Sequence, residues 1–172
     1  MYSHIEIDAA PMGRLLVGMQ NDLVVFSHLV RRRPDVNAIL AREAEGFPGI
    51  HALQNDHPLA AQLRRYLDGD PVDPVDVPVL WTRGTDFQQR VWRALRGVRR
   101  GNVVTYAQLA ALAGAPRAAR AVGNAMASNP LVLFVPCHRV VAAGGSLGGF
   151  SAGLDTKRHL LRLEGRIHDH SG

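Results

Sequence analysis

Residues 68–80 limit how this chain can fold more than any other stretch. Asp68-Gly69-Asp70-Pro71-Val72-Asp73-Pro74-Val75-Asp76-Val77-Pro78 holds three prolines and four aspartates. Proline has no amide hydrogen to give a helix interior or a central strand, so no regular element runs through it. The stretch reads as a linker crossing between two lobes, residues 1–80 and 81–172. Charge divides near the same place. Residues 1–82 carry 7 Arg and 11 acidic side chains, a balance of −4. Residues 83–172 carry 13 Arg plus Lys and 4 acidic side chains, a balance of +9. A basic lobe beside an acidic one points to a polyanion as the partner of the basic lobe.

A chain of 172 residues with 47% hydrophobic content can bury an ample core. No apolar run approaches the roughly 18 to 20 residues that span a membrane. The start, Met1-Tyr2-Ser3-His4-Ile5-Glu6-Ile7-Asp8, alternates like a strand and lacks the pattern of a secretory signal. One cysteine forms no internal disulfide, which suits a reducing compartment; the cytoplasm is the expected location. The eight histidines are scattered without metal-ligand spacing, so neither a metal nor another cofactor is expected.

In the first lobe Tyr2–Asp8, Arg14–Gln20 and Leu23–Leu29 read as three short antiparallel strands. The turns are Ala10-Pro11-Met12-Gly13 and Asn21-Asp22, and Arg31-Arg32-Arg33-Pro34 stops the third strand as a solvated face. Residues 35–45 and Pro58–Leu67 are expected helices, the latter with leucines at 59, 63 and 67. Nothing in this lobe looks like chemistry; bracing the rest is its expected role.

The second lobe opens with Thr85 as the N-cap of a helix over 87–95, with Phe87, Val91, Trp92 and Leu95 on its apolar face. From Val103 to Met126 the pattern is helix, a turn holding Gly114, and a second helix beginning at Pro116. That is the pattern of a helix-turn-helix. The second helix is poor in base-reading side chains, offering Ala118, Ala119, Ala121, Gly123 and Ala125 with Arg117 and Arg120 projecting. Small residues let a helix backbone approach closely in a narrow groove, and one Arg can act as a wedge. The reading is minor-groove binding with little sequence specificity.

The single cysteine stands in Val135-Pro136-Cys137-His138-Arg139-Val140, after the apolar run Leu131–Val135. A lone cysteine is usually a small buried hydrophobe. A neighbouring imidazole and guanidinium change that, because they favour the thiolate, the nucleophilic form. Further on, Gly144–Gly153 is rich in glycine and reads as a lid, without the Gly-Lys-Ser/Thr ending of a nucleotide P-loop. Asp155–Leu163 is the closing helix, with Leu160, Leu161 and Leu163 as core candidates.

These pieces together resemble the O6-alkylguanine-DNA alkyltransferase family. The resemblance rests on Pro136-Cys137-His138-Arg139-Val140, Thr105–Ala110, Ala118-Ala119-Arg120-Ala121-Val122-Gly123, Asn129-Pro130 and Glu164-Gly165. It spans residues 83–166 and is weaker before residue 80. It implies an α/β N-terminal lobe with a small RNase-H-like sheet and a mainly α-helical C-terminal lobe with a helix-turn-helix. It implies direct repair of O6-alkylguanine, and of O4-alkylthymine, by irreversible stoichiometric transfer to Cys137. His138 matches the base that takes the thiol proton through a water, and Glu164 the carboxylate that orients it. Asn129 matches the hinge beside the recognition helix. Arg120 matches the finger that replaces a flipped base, and Tyr106 the residue that turns the target phosphate and protonates the purine. Arg117, Ala119 and Gly123 fall on the DNA-binding face. Phe150, Ser151 and Ala152 match the substrate pocket, where Phe150 stands for a Tyr and Ala152 for a Gly found in some members. Those two departures bear on benzyl-sized adducts rather than on methyl. The implied partner is double-stranded DNA carrying O6-alkylguanine, met by a monomer that binds cooperatively, with no membrane involved.

Two other classes compete. A non-enzymatic module that marks alkylated bases lacks the cysteine that this chain has. A cysteine hydrolase needs an oxyanion hole and turnover, and nothing downstream suggests either. The multi-domain adaptive-response regulator needs further metal-binding cysteines, which are missing.

Overall fold

Asn21 and Asp22 both sit at positive φ, 48° and 65°, as a two-residue type I′ turn requires at both centres. This turn joins β2 (Arg14–Gln20) to β3 (Leu23–Val30) as an antiparallel hairpin. β1 (Tyr2–Asp8) pairs antiparallel with β2 from Tyr2–Gln20 to Asp8–Arg14. The computed structural model describes residues 1–31, 33–53 and 57–166. By its contacts the chain divides into two compact units. One is Met1–Thr82 with Pro130–Val132; the other is Arg83–Asn129 with the described residues from Leu133 on.

In the first unit one expectation needs correcting. A fourth strand, β4 (His51–Ala52), adds parallel to β1, so the sheet is mixed, in the order β3-β2-β1-β4. Two residues are too few for any alternation to be read from sequence. Leu16, Val25, Phe26, Val30, Val36 and Phe47 form a buried cluster on the sheet, with Val36 supplied by α1 (Arg33–Gly46). α1 starts two residues before the expected 35; Arg32 lies outside the described residues. Gly18 has a specific job: a Cβ there would lie 2.1 Å from the Phe26 ring. The register of β2 on β3 shifts at this same place, between Gly18 and Met19. α2 (Pro58–Leu67) buries Leu59, Ala60, Leu63 and Tyr66.

The proline- and aspartate-rich stretch is more ordered than a tether. Asp73 caps a 3-10 turn at Pro74–Asp76, accepting from the Val75 amide, and Pro74, Val75 and Val77 are buried. The chain then pairs with β3: Val24 N–H donates to the Pro78 carbonyl, and Leu80 N–H to the Val24 carbonyl. Pro130–Val132 joins this unit through the Ser27 amide and hydroxyl, which donate to the Pro130 and Val132 carbonyls.

In the second unit α3 (Asp86–Arg96) opens with a capping box, Thr85 and Gln88 each accepting from the other's amide. Its buried face is Val91, Trp92 and Leu95. Trp92 Nε1 donates to the Ala125 carbonyl at 2.9 Å, which ties α3 to the helix that follows the turn. A second capping box, Thr105 with Gln108, starts α4 (Tyr106–Leu112). The next helix, α5, runs Ala119–Ala127 and so begins three residues later than expected. Pro116 instead occupies a turn closed by the Ala118 amide on the Ala115 carbonyl, where its fixed φ suits the second turn position. Arg117 is therefore a turn residue, not a helical one. β5 (Val104–Thr105) pairs parallel with β6 (Val140–Val141), which directly follows a 3-10 turn at Cys137–Arg139. α6 (Leu154–Leu163) closes the unit, burying Leu160 and Leu161 with Leu163 half-buried. Among the described residues no helix is long and apolar enough to cross a membrane.

Candidate active site

The segment Leu131–Val135 is buried throughout and delivers the chain into the Cys137–Arg139 turn. Cys137 is 5% exposed and free. The Asn129 side chain, just past α5, donates through Nδ2 to the Val135 carbonyl at 2.9 Å and to Cys137 Sγ at 3.2 Å. One amide thus fixes both the backbone entering the turn and the sulfur on it. Burial pushes the Cys137 thiol above its ordinary value, opposed by the Asn129 hydrogen bond and the charge of Lys157. The resting group is a neutral thiol, and a base is needed before it can act as a nucleophile.

His138 is fully buried, and its Nε2 lies 2.9 Å from Glu164 Oε1. Glu164 caps the C-terminus of α6 and is itself buried. Burial alone would raise the Glu164 carboxyl, but hydrogen bonds and charge from His138 and Arg139 together hold it well below the usual carboxylate range. An ionised carboxylate only accepts, so Nε2 must carry the hydrogen and Nδ1 has the lone pair. Burial lowers His138, keeping the imidazole neutral. Nδ1 is buried and makes no hydrogen bond to the protein. Arg139, also fully buried, donates from Nε to Glu164 Oε2 at 2.9 Å and from a terminal nitrogen to Oε1 at 2.8 Å. It also reaches the Val98 carbonyl at 2.7 Å. The bidentate pair neutralises the carboxylate and fixes its plane.

A cavity of about 160 Å³ opens over the thiol, lined by Tyr106, Gly123, Met126, Ala127, Cys137, Gly149, Phe150 and Ser151. The sequence expectations for Tyr106, Gly123, Cys137, Phe150 and Ser151 therefore meet in one place. Ala152 is half-buried and does not line the cavity. Tyr106 fits closely because its neighbours are glycines. A Cβ at Gly148, whose φ is +67°, would come within 3.3 Å of the Tyr106 ring and hydroxyl. On α5, Arg120 is exposed and Ala119 half-buried, while Arg117 is exposed on the preceding turn. Among the described residues no group of three or more His, Cys, Asp or Glu could hold a metal ion.

The model of the 6-O-methylguanine DNA methyltransferase DNA-binding domain matches residues 86–166. Methylated-DNA–protein-cysteine methyltransferase of Shigella flexneri is 44% identical over 123 residues, 72% of this chain and 71% of that protein. This chain belongs to that family. The structure of Mycobacterium tuberculosis O6-methylguanine methyltransferase superposes with a TM-score of 0.77 at 34% identity, covering 98% of this chain and 96% of that one. The Mycobacterium tuberculosis protein OGT in complex with DNA gives 0.78 at 33%, covering 97% and 96%.

Within this alkyltransferase site, sequence reasoning passed over Lys157. It is fully buried on α6, and the available signal was that it is the one lysine beside 19 arginines. Met126 and Ala127 carry no such signal and also line the cavity, while Gly149 lines it from the glycine-rich stretch read as a lid. Arg139 combines an ion pair to Glu164 with a bond to the Val98 backbone carbonyl.

Proposed function

We propose that this protein repairs O6-alkylguanine in DNA by moving the alkyl group irreversibly to Cys137. The observation that carries the reading is the single cysteine on the wall of a small cavity, with Asn129 on its sulfur and a buried His138–Glu164 pair beside it. In this reading His138 takes the thiol proton through Nδ1, by way of one water, and Glu164 stabilises the imidazolium. The thiolate attacks the saturated carbon; the carbon–sulfur bond forms as the carbon–oxygen bond to the purine breaks. Tyr106 protonates the departing guanine. A thioether has no route back to thiol in this site, so one molecule accepts one alkyl group. O4-alkylthymine, which presents the same kind of oxygen, is proposed as a second substrate.

A base inside a duplex must be turned out before a thiol can reach it. The proposed DNA face is α4 and α5 acting as a helix-turn-helix in the minor groove. Arg120 fills the space of the flipped base, Ala119 and Gly123 allow close approach, and Arg117 meets phosphate. Phe150 and Ser151 hold the base, with Ala152 next to them. The first unit carries an RNase-H-like sheet and no part of the chemistry. The protein acts as a cytoplasmic monomer and binds cooperatively along DNA.

The test is mass spectrometry after incubation with DNA containing O6-methylguanine. One added methyl on the tryptic peptide holding Cys137 is expected. An unmodified peptide after complete incubation with excess substrate would overturn the assignment.

A further inference from the structure

Lys157 is buried on α6 with its ammonium among backbone carbonyls. Burying a charge is costly unless every donor is satisfied, and an ammonium has three. Here they go to the carbonyls of Val140, Leu147 and, at 3.2 Å, Gly149. Val140 directly follows the Cys137–Arg139 turn. Leu147 and Gly149 belong to the glycine-rich loop, and Gly149 lines the cavity with Cys137. The same ammonium therefore joins the loop over the cavity to the chain that carries the thiol. A methionine of similar length would fill this space without the desolvation cost. Core packing alone does not account for a lysine here.

The electrostatics agree with the geometry. Burial brings Lys157 down to about 8, with Cys137 acting in the opposite direction. In return the lysine charge favours the thiolate. The other titratable group that feels the lysine charge is His138, which Lys157 holds down and which pairs in turn with Glu164 and, through it, Arg139. On α6 itself Asp155 and Arg158 pair with each other at the exposed face.

We propose that Lys157 is a positioning residue of the alkyl-acceptor site, fastening the Gly149–Ser151 wall over Cys137 and presenting a buried positive charge to its thiolate. The proposal rests on the reading of Cys137 as the acceptor, but its test does not need DNA. The rate of Cys137 alkylation by iodoacetamide is followed from pH 6 to 11 in the unmutated protein, Lys157→Met and Lys157→Arg, because the thiol already lies above its ordinary value. In Lys157→Met the midpoint moves up, and each unit slows reaction at neutral pH roughly tenfold. Lys157→Arg keeps the charge and holds the midpoint nearer the unmutated one. Methyl transfer from DNA falls in Lys157→Met at least as far, because the loop wall is lost as well. An unchanged midpoint in a Lys157→Met protein that melts cooperatively would overturn the proposal. So would failure of both variants to fold, which would make Lys157 a core residue only. If the midpoints move as described but the unmutated protein takes no methyl from DNA, the repair reading falls and the role of Lys157 on the thiol stands.

Discussion

Asn129 Nδ2 donates to the Cys137 sulfur at 3.2 Å while it also holds the Val135 carbonyl at 2.9 Å. The two residues are eight apart in the chain, and the amide of Asn129 accepts no other geometry without losing one bond. A hydrogen bond to a charged acceptor contributes about 1.5–3 kcal/mol, more than one to the neutral thiol. Asn129→Ala is therefore expected to slow transfer to Cys137 by about tenfold to a hundredfold. Single-turnover kinetics with O6-methylguanine DNA will check it. A rate within twofold of the unmutated protein would remove Asn129 from the chemistry.

Glu164 holds the Arg139 guanidinium and the neutral His138 imidazole at once, so its loss has two signatures. Glu164→Gln leaves the Arg139 guanidinium buried without its counter-charge, and breaking a buried pair from one side costs about 3–5 kcal/mol. Denaturant melts should show a loss of that size. In the folded fraction the imidazolium formed on proton transfer is no longer stabilised, and the transfer rate drops. Loss of stability with no change in rate would confine Glu164 to structure.

The parts of the site that sequence made legible are those fixed by local chemistry. Thr85 announces the start of α3 because capping is a matter of neighbouring residues. Tyr2–Asp8 shows alternation, the two strands after it show as short apolar runs, and Asn21-Asp22 shows the turn. What was hidden depends on distant partners. β4 is two residues long and exists only because β1 offers an edge. Pro116 reads equally as a helix start or a turn, and the Ala115–Ala118 hydrogen bond decides for the turn. Lys157 reads as a solvated helix residue until three carbonyls from elsewhere close round it. The pairing of Glu164 with His138 spans 26 residues and came only from family resemblance; composition and periodicity are silent on it.

Three buried titratable groups, His138, His4 and Glu164, shape the acid limb of stability. His138 is lowered from 6.5 by burial, as is His4, so the unfolded chain binds protons more readily than the folded one as pH falls. Their contribution is complete above about pH 6.5 and is lost below it. Glu164 is lowered from 4.5, so its contribution is complete above that pH and is lost as pH falls further. The melting temperature is expected to decline from about pH 6.5 downward and more steeply below about 4.5. In Glu164→Gln the second, steeper loss should flatten. A melting temperature independent of pH between 4 and 6.5 would contradict the buried neutral imidazole.

Arg120 separates base flipping from chemistry. It is exposed on the first turn of α5, and the cavity over Cys137 does not include it among its lining residues. Arg120→Ala should leave stability within about 0.5 kcal/mol, as for most exposed substitutions. It should leave transfer from a free O6-alkylguanine base nearly unchanged, since that substrate needs no flipping. Transfer from duplex DNA should slow markedly, because nothing then occupies the space of the extruded base. The two rates are measured side by side on one protein preparation. Equal losses on both substrates would place the arginine in the reaction itself, and no loss on either would leave the finger role without support.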